Sequence, residues 1–144
     1  MRLTFYSDYS LRLLMYTALR HGRLVTIQEV ANAYGISKNH LMKVAFELGR
    51  KGYLETVRGR GGGLRLARPP EKIGLGEVIR AVEEDFNLVE CFDADSNGCV
   101  ISGACRLRGA LSRALNAYFA VLDEYTLADL TGRHPVLARI LEAS

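Results

Sequence analysis

Cysteine is scarce in this chain and confined to one place. Cys91, Cys99 and Cys105 are the only three in 144 residues, and they fall within fifteen positions. An odd count gathered in one stretch does not make a disulfide framework. Long apolar runs are also missing: none approaches the ~20 residues that a membrane span requires. No signal peptide is visible, since Arg2 is followed closely by Tyr6, Ser7, Asp8 and Tyr9. The expectation is a cytoplasmic protein without a membrane partner, in a compartment where thiols stay reduced. Internal repeats and low-complexity tracts are absent. With 49% hydrophobic residues the chain can bury a real core, which excludes disorder.

What is present is a strong asymmetry of charge. Residues 1–70 hold 12 Lys and Arg against 4 Asp and Glu, a net of +8, whereas residues 71–144 hold 7 against 12, a net of −5. A basic half joined to an acidic half is the pattern of a nucleic-acid binder carrying a regulatory part.

The basic half reads as helices followed by a hairpin. Leu11, Leu14, Met15, Ala18 and Leu19 recur at helical steps, with Ser7 or Asp8 as the expected N-cap and Gly22 closing the turn. Thr26-Ile-Gln-Glu29 has the form of a capping box and opens a short helix that stops at Tyr34-Gly35. Ser37 then begins a third helix with Leu41, Val44, Ala45 and Leu48 on its apolar side, ended by Gly52. Two short helices around a glycine-containing turn predict a helix-turn-helix whose third helix reads DNA. Ser37, Lys38, Asn39, His40 and Lys43 form the polar, basic start of that helix, where base edges and phosphates are met.

Residues 53–57 and 64–67 predict the strands of a hairpin. Between them Arg58 and Arg60 alternate with glycines, and Arg65 follows on the second strand. Such a turn suits a wing whose guanidinium groups enter a narrow minor groove. A phosphate-binding loop is excluded, because no helix starts at the glycines and the Lys-Ser/Thr pair is missing. Pro69-Pro70 ends the module. A helix is expected over residues 75–84. A long helix from the third cysteine to Leu127 carries Leu107, Leu111, Leu115, Tyr118, Leu122 and Tyr125 as one apolar seam, which predicts packing on a second copy in a homodimer.

The spacing Cys91-x7-Cys99-x5-Cys105 matches neither a zinc ribbon nor a ferredoxin. Three thiolates are soft ligands for zinc or an iron–sulfur centre, and both want a fourth donor. His21, His40 and His134 all lie outside the segment, so that donor must come from elsewhere, such as a carboxylate or a partner subunit. Residues 93–98 imitate the opening of a calcium loop, but its twelfth position is Ala104 where a bidentate Glu is required. A thiol enzyme is disfavoured too, because no histidine, oxyanion or phosphate motif accompanies the cysteines.

Several segments together carry a family resemblance: Met1-Arg-Leu-Thr4, Ser7-Asp-Tyr9, Gly35-Ile-Ser-Lys38, His40-Leu-Met-Lys-Val44, residues 57–66 and 87–92, Cys99-Val-Ile101, Cys105-Arg-Leu107 and residues 126–130. Over nearly its whole length the chain resembles the winged-helix iron–sulfur transcriptional regulators, most of all their nitric-oxide-sensing repressors. That resemblance implies no enzyme but a homodimeric repressor of double-stranded promoter DNA, with nitric oxide as its signal. It implies that Cys91, Cys99 and Cys105 ligate a cluster, [4Fe–4S] first and [2Fe–2S] as the alternative, with Asp8 of the other subunit as fourth ligand. From the residues alone, Asp8 is equally a carboxylate at a helix start. Iron-responsive members share much of this arrangement, and a zinc-stabilised DNA-binding protein is the other open reading. The histidine that cluster-biogenesis members carry after the third cysteine is absent, since Cys105 is followed by Arg-Leu-Arg.

The expected fold class is mainly α with a small β-hairpin wing. A winged helix-turn-helix over residues 1–70 leads to a connecting helix and cysteine loop over 71–105. A dimerisation helix and tail over 106–144 follow.

Overall fold

The computed structural model describes residues 1–132 and 134–143. Helix α1 (Phe5–Leu19) starts earlier than Ser7 or Asp8 would allow, because Thr4 is its N-cap and accepts the Ser7 N–H on Oγ1 at 3.2 Å. Ser7 is thereby pulled inside and fully buried, and Asp8 lies in the first turn. Leu13, Leu14, Tyr16, Thr17 and Ala18 are buried as well, so α1 is the central strut of the fold. It packs on the third helix, the hairpin and the later helices. This enclosure is wider than one amphipathic stripe predicts.

Helix α2 (Ile27–Tyr34) has the reciprocal cap its sequence announces. The Glu29 N–H donates to Thr26 Oγ1 at 3.2 Å, and the Thr26 N–H donates to Glu29 Oε2 at 3.0 Å. It ends on Gly35, whose φ of 65° is left-handed and therefore suits glycine. Helix α3 (Lys38–Arg50) presses Leu41, Val44, Ala45 and Leu48 into the core. Strands β1 (Leu54–Val57) and β2 (Gly63–Leu66) form an antiparallel pair with Leu54 opposite Leu66 and Val57 opposite Gly63. The α1–α2 connection adds a third edge: Val25 and Leu64 exchange backbone hydrogen bonds of 2.9 and 2.7 Å. Fully buried Val25 thus ties the hairpin to the helical body.

Helix α4 (Leu75–Val82) is shorter than expected. It leads through a 3-10 turn (Glu90–Phe92) and an irregular loop to α5 (Arg106–Leu122). The periodicity that carries the long helix to Leu127 is cut at Leu122, because Thr126 and Asp129 form a second capping box and start α6 (Leu127–Thr131). Tyr125 therefore sits in the turn rather than on the seam, and its carbonyl accepts the Leu75 N–H at 2.9 Å. Instead of a plain tail, α7 (Pro135–Glu142) returns to α2, with Leu141 joining Leu127 in the one core cluster. The Arg80 guanidinium grips Asp123 with bonds of 2.6 and 2.8 Å and lies over the Phe119 ring at 4.2 Å, which pins α4 to the end of α5.

Candidate nucleic-acid interface and thiol loop

The anticipated reading head is built as one surface. Ser37, Lys38, Asn39, His40 and Lys43 are all exposed, and they start a helix whose opposite face is core. Ser37 is the N-cap, yet its hydroxyl makes no capping bond, which leaves it available beside the free N–H groups of the first turn. His40 is exposed and lies beside the Tyr9 ring of α1, with ring centroids 6.3 Å apart. Further along, Glu47 is paired with Arg50 at 3.0 Å.

The wing separates its three arginines. Arg58 and Arg60 sit in the exposed turn and form no ion pair among the described residues. Arg65 instead donates from Nε to Glu55 Oε2 at 2.8 Å across the strands, which follows from their opposed register. That partner was legible only once the pairing was known. At the root of the wing the Tyr53 hydroxyl donates to Glu77 at 3.1 Å, beneath the Arg68 guanidinium. Burial, reinforced by the Glu77 carboxylate, pushes the Tyr53 phenol up to about 12.

All three thiols are unbridged and half-buried. Cys91 lies in the 3-10 turn, Cys99 in the irregular loop, and Cys105 is the N-cap of α5. Beside Cys105 a cleft of about 700 Å³ is lined by Phe92, Arg106, Arg108 and Ser112. Unassisted by sequence reasoning, Glu90 emerges as a brace: its carboxylate accepts the Gly98 N–H, so the turn bearing Cys91 is held to the residue before Cys99. The pseudo-calcium segment satisfies itself. The Ser96 hydroxyl and the Asp95 N–H donate to Asp93 and hold its carboxyl below the usual carboxylate range. Among the described residues, no group of three or more His, Cys, Asp or Glu side chains is assembled for a metal. The donor set itself is soft and unbridged, which is chemistry that fits a thiolate-held cofactor.

Asp8 sits apart from the cysteine loop in sequence, and both its oxygens accept from Arg12, at 2.9 and 2.7 Å. The start of α1 is nevertheless connected to the region before the loop. The Thr4 N–H and hydroxyl both donate to Glu83 Oε1, at 2.7 and 3.1 Å, just past α4. Seventy-nine residues separate these partners, so no local pattern announces the bond.

A helix-turn-helix with an exposed cationic third helix and an arginine-bearing hairpin defines a winged-helix protein of the DNA-binding type. Residues 3–133 match the Rrf2 family, described as "Iron-dependent Transcriptional regulator", and the chain belongs to that family. It is 55% identical over 143 residues to an HTH-type transcriptional regulator NsrR from Bacillus subtilis, covering 99% of this chain and 98% of that one. A Bacillus licheniformis regulator of the same name is 52% identical over 142 residues, with 98% and 99% covered. The fold is similar to a crystal structure of a transcriptional regulator from Listeria innocua, with a TM-score of 0.75 and 30% identity over 92% of this chain and 88% of that one. The chain is thus a transcriptional regulator rather than an enzyme. Among the described residues no helix is long and apolar enough to cross a membrane.

Proposed function

We propose that the chain is a homodimeric repressor of double-stranded promoter DNA whose grip is controlled by nitric oxide through an iron–sulfur cluster on the thiol loop. The observation that supports it best is the attachment of all three free thiols, on one loop, to a winged helix. Cys91, Cys99 and Cys105 would hold the cluster, with Asp8 of the partner subunit as fourth donor. For that, Asp8 must exchange its bonds to Arg12 for the metal. When bound, such a cluster ([4Fe–4S], or else [2Fe–2S]) would supply iron reactive toward nitric oxide.

The protein's own part is transmission. Glu90 sets the spacing within the loop. Glu83 hands the position of the loop's approach to Thr4, and α1 carries it to α3 through their shared core. Helix α5 supports the dimer: of its 17 residues only Phe119 is buried, while Leu107 and Val121 are 63% and 53% exposed. Lys38, Lys43, Arg58, Arg60 and Arg65 meet phosphate or groove, and Ser37, Asn39 and His40 meet base edges.

Protein purified without oxygen should contain iron and sulfide and retard a promoter fragment until nitric oxide is added. Cys99→Ala should lose both the inorganic sulfide and the response. Material free of iron and sulfide that binds the fragment at full strength defeats the reading. The family's description as iron-dependent favours iron itself as a second signal. Release on chelation alone, with no effect of nitric oxide on the loaded protein, selects that reading, and stoichiometric zinc in colourless protein selects the zinc one.

A further inference from the structure

Two large apolar side chains lie exposed on the reading helix. Met42 is 53% and Phe46 66% exposed. With Asn39 and Lys43 they occupy positions i, i+3, i+4 and i+7 of α3, one stripe on the side away from buried Leu41, Val44, Ala45 and Leu48. A helix lying in the major groove, as in homeodomains, reads bases from this same set of spacings. The stripe therefore alternates polar and apolar: Asn39, Met42, Lys43, Phe46. Glu47, beside it, is the nearest acidic group on the helix and is neutralised by Arg50 at 3.0 Å, so nothing unpaired on this face repels phosphate. Tyr6, Met42, Lys43, Phe46 and Glu47 line a cleft of about 450 Å³ that opens onto the same surface.

We infer that Met42 and Phe46 are base-reading residues that recognise the C5-methyl groups of thymines in each half-site. Thymine is the only base presenting a methyl in the major groove, and apolar side chains are what read it. Continuity with Lys38 and Lys43 argues for DNA as the occupant, since those cations bring the duplex to the stripe that holds the apolar pair. The inference rests on the proposed DNA-binding role of α3 and adds to it which chemical feature of the operator is read.

The test removes the methyl and nothing else. Full-length protein, purified without oxygen, selects its site from a randomised duplex pool. Each thymine of that site is then replaced singly by deoxyuridine. At least one replacement per half-site should weaken binding about fourfold, which corresponds to the ~0.8 kcal/mol of one buried methyl-sized group. Phe46→Ala or Met42→Ala should bind the thymine and uracil versions of that position equally, with unchanged melting temperature and subunit mass. Selection of a site that tolerates every deoxyuridine overturns this inference and leaves the DNA-binding reading standing. Failure to select any duplex overturns both. A Phe46→Ala protein with altered oligomeric mass and intact methyl discrimination also overturns it, and assigns the patch to a contact between copies.

Discussion

Replacing Gly63 by alanine should loosen the wing from the helical body, and the size of the effect can be worked from the backbone. A Cβ at position 63 would stand 2.7 Å from the Val25 carbonyl oxygen and 3.1 Å from Leu24 Cβ. The first is a backbone atom with no flexible end to swing away, so the strand must retreat from the α1–α2 connection. The retreat stretches the two hydrogen bonds between Val25 and Leu64, each contributing about 1 kcal/mol net. Alanine restricts the unfolded chain more than glycine, which offsets about 0.4–1 kcal/mol. The balance is a loss of about 1–2 kcal/mol, or roughly 3–8 °C in melting temperature for a chain of this size. Calorimetry measures it directly, and promoter affinity should fall as well because Arg58 and Arg60 are no longer aimed from a fixed platform. Gly109→Ala serves as the contrast. It is helical, has nothing within 4 Å of its built Cβ, and should gain roughly 0.5–1 kcal/mol. If Gly63→Ala melts at the wild-type temperature while binding promoter DNA normally, the bridge to Val25 does not carry the wing.

Three other outcomes follow from the same geometry. Arg58→Ala and Arg60→Ala should each weaken promoter binding and lower the slope of log affinity against log salt by about 1. Arg65→Ala, already committed to Glu55, should change that slope less. The Tyr53 phenol titrates near 12 in the folded protein, above the value of about 10 in an unfolded chain. Its neutral form therefore contributes stability that is complete below about pH 10 and is lost as pH rises from there toward 12, where the unfolded state binds fewer protons than the native one. Urea midpoints for wild type and Tyr53→Phe should accordingly converge as pH rises through that window, and a constant gap refutes the assignment. Leu111→Asp, on the half-buried apolar seam of α5, should convert a dimer to monomer in light scattering without lowering the helix content. Retention of the dimer mass places the interface elsewhere.

Short-range chemistry was legible in the residues. Thr26 and Glu29 form the reciprocal cap that their spacing announces, Gly35 adopts the left-handed turn, and the inward side of α3 is the one its apolar period marks. The hairpin also appears where β-branched and apolar residues flank the glycine-rich turn, with the first strand one residue shorter at its start and the second one residue earlier. Each of these is settled by contacts within a few residues. The seam of α5 was overextended for the same reason: periodicity continues past Leu122, but a competing local cap at Thr126 ends the helix.

By itself the amino-acid order determined the helix-turn-helix, the basic face on the third helix, the arginine-bearing turn and the clustering of every thiol in one segment. Only tertiary structure decided which charges are already spoken for, as with Arg65 on Glu55 and Arg68 on Glu77, and which distant segments hold one another. Thr4 meets Glu83, Arg80 meets Asp123, and Leu141 returns to the core beside residues more than a hundred positions earlier. The physical reason is that a cap or an amphipathic stripe is closed by neighbours along the chain. A long-range ion pair or hydrogen bond exists only after hydrophobic burial has brought its two ends together.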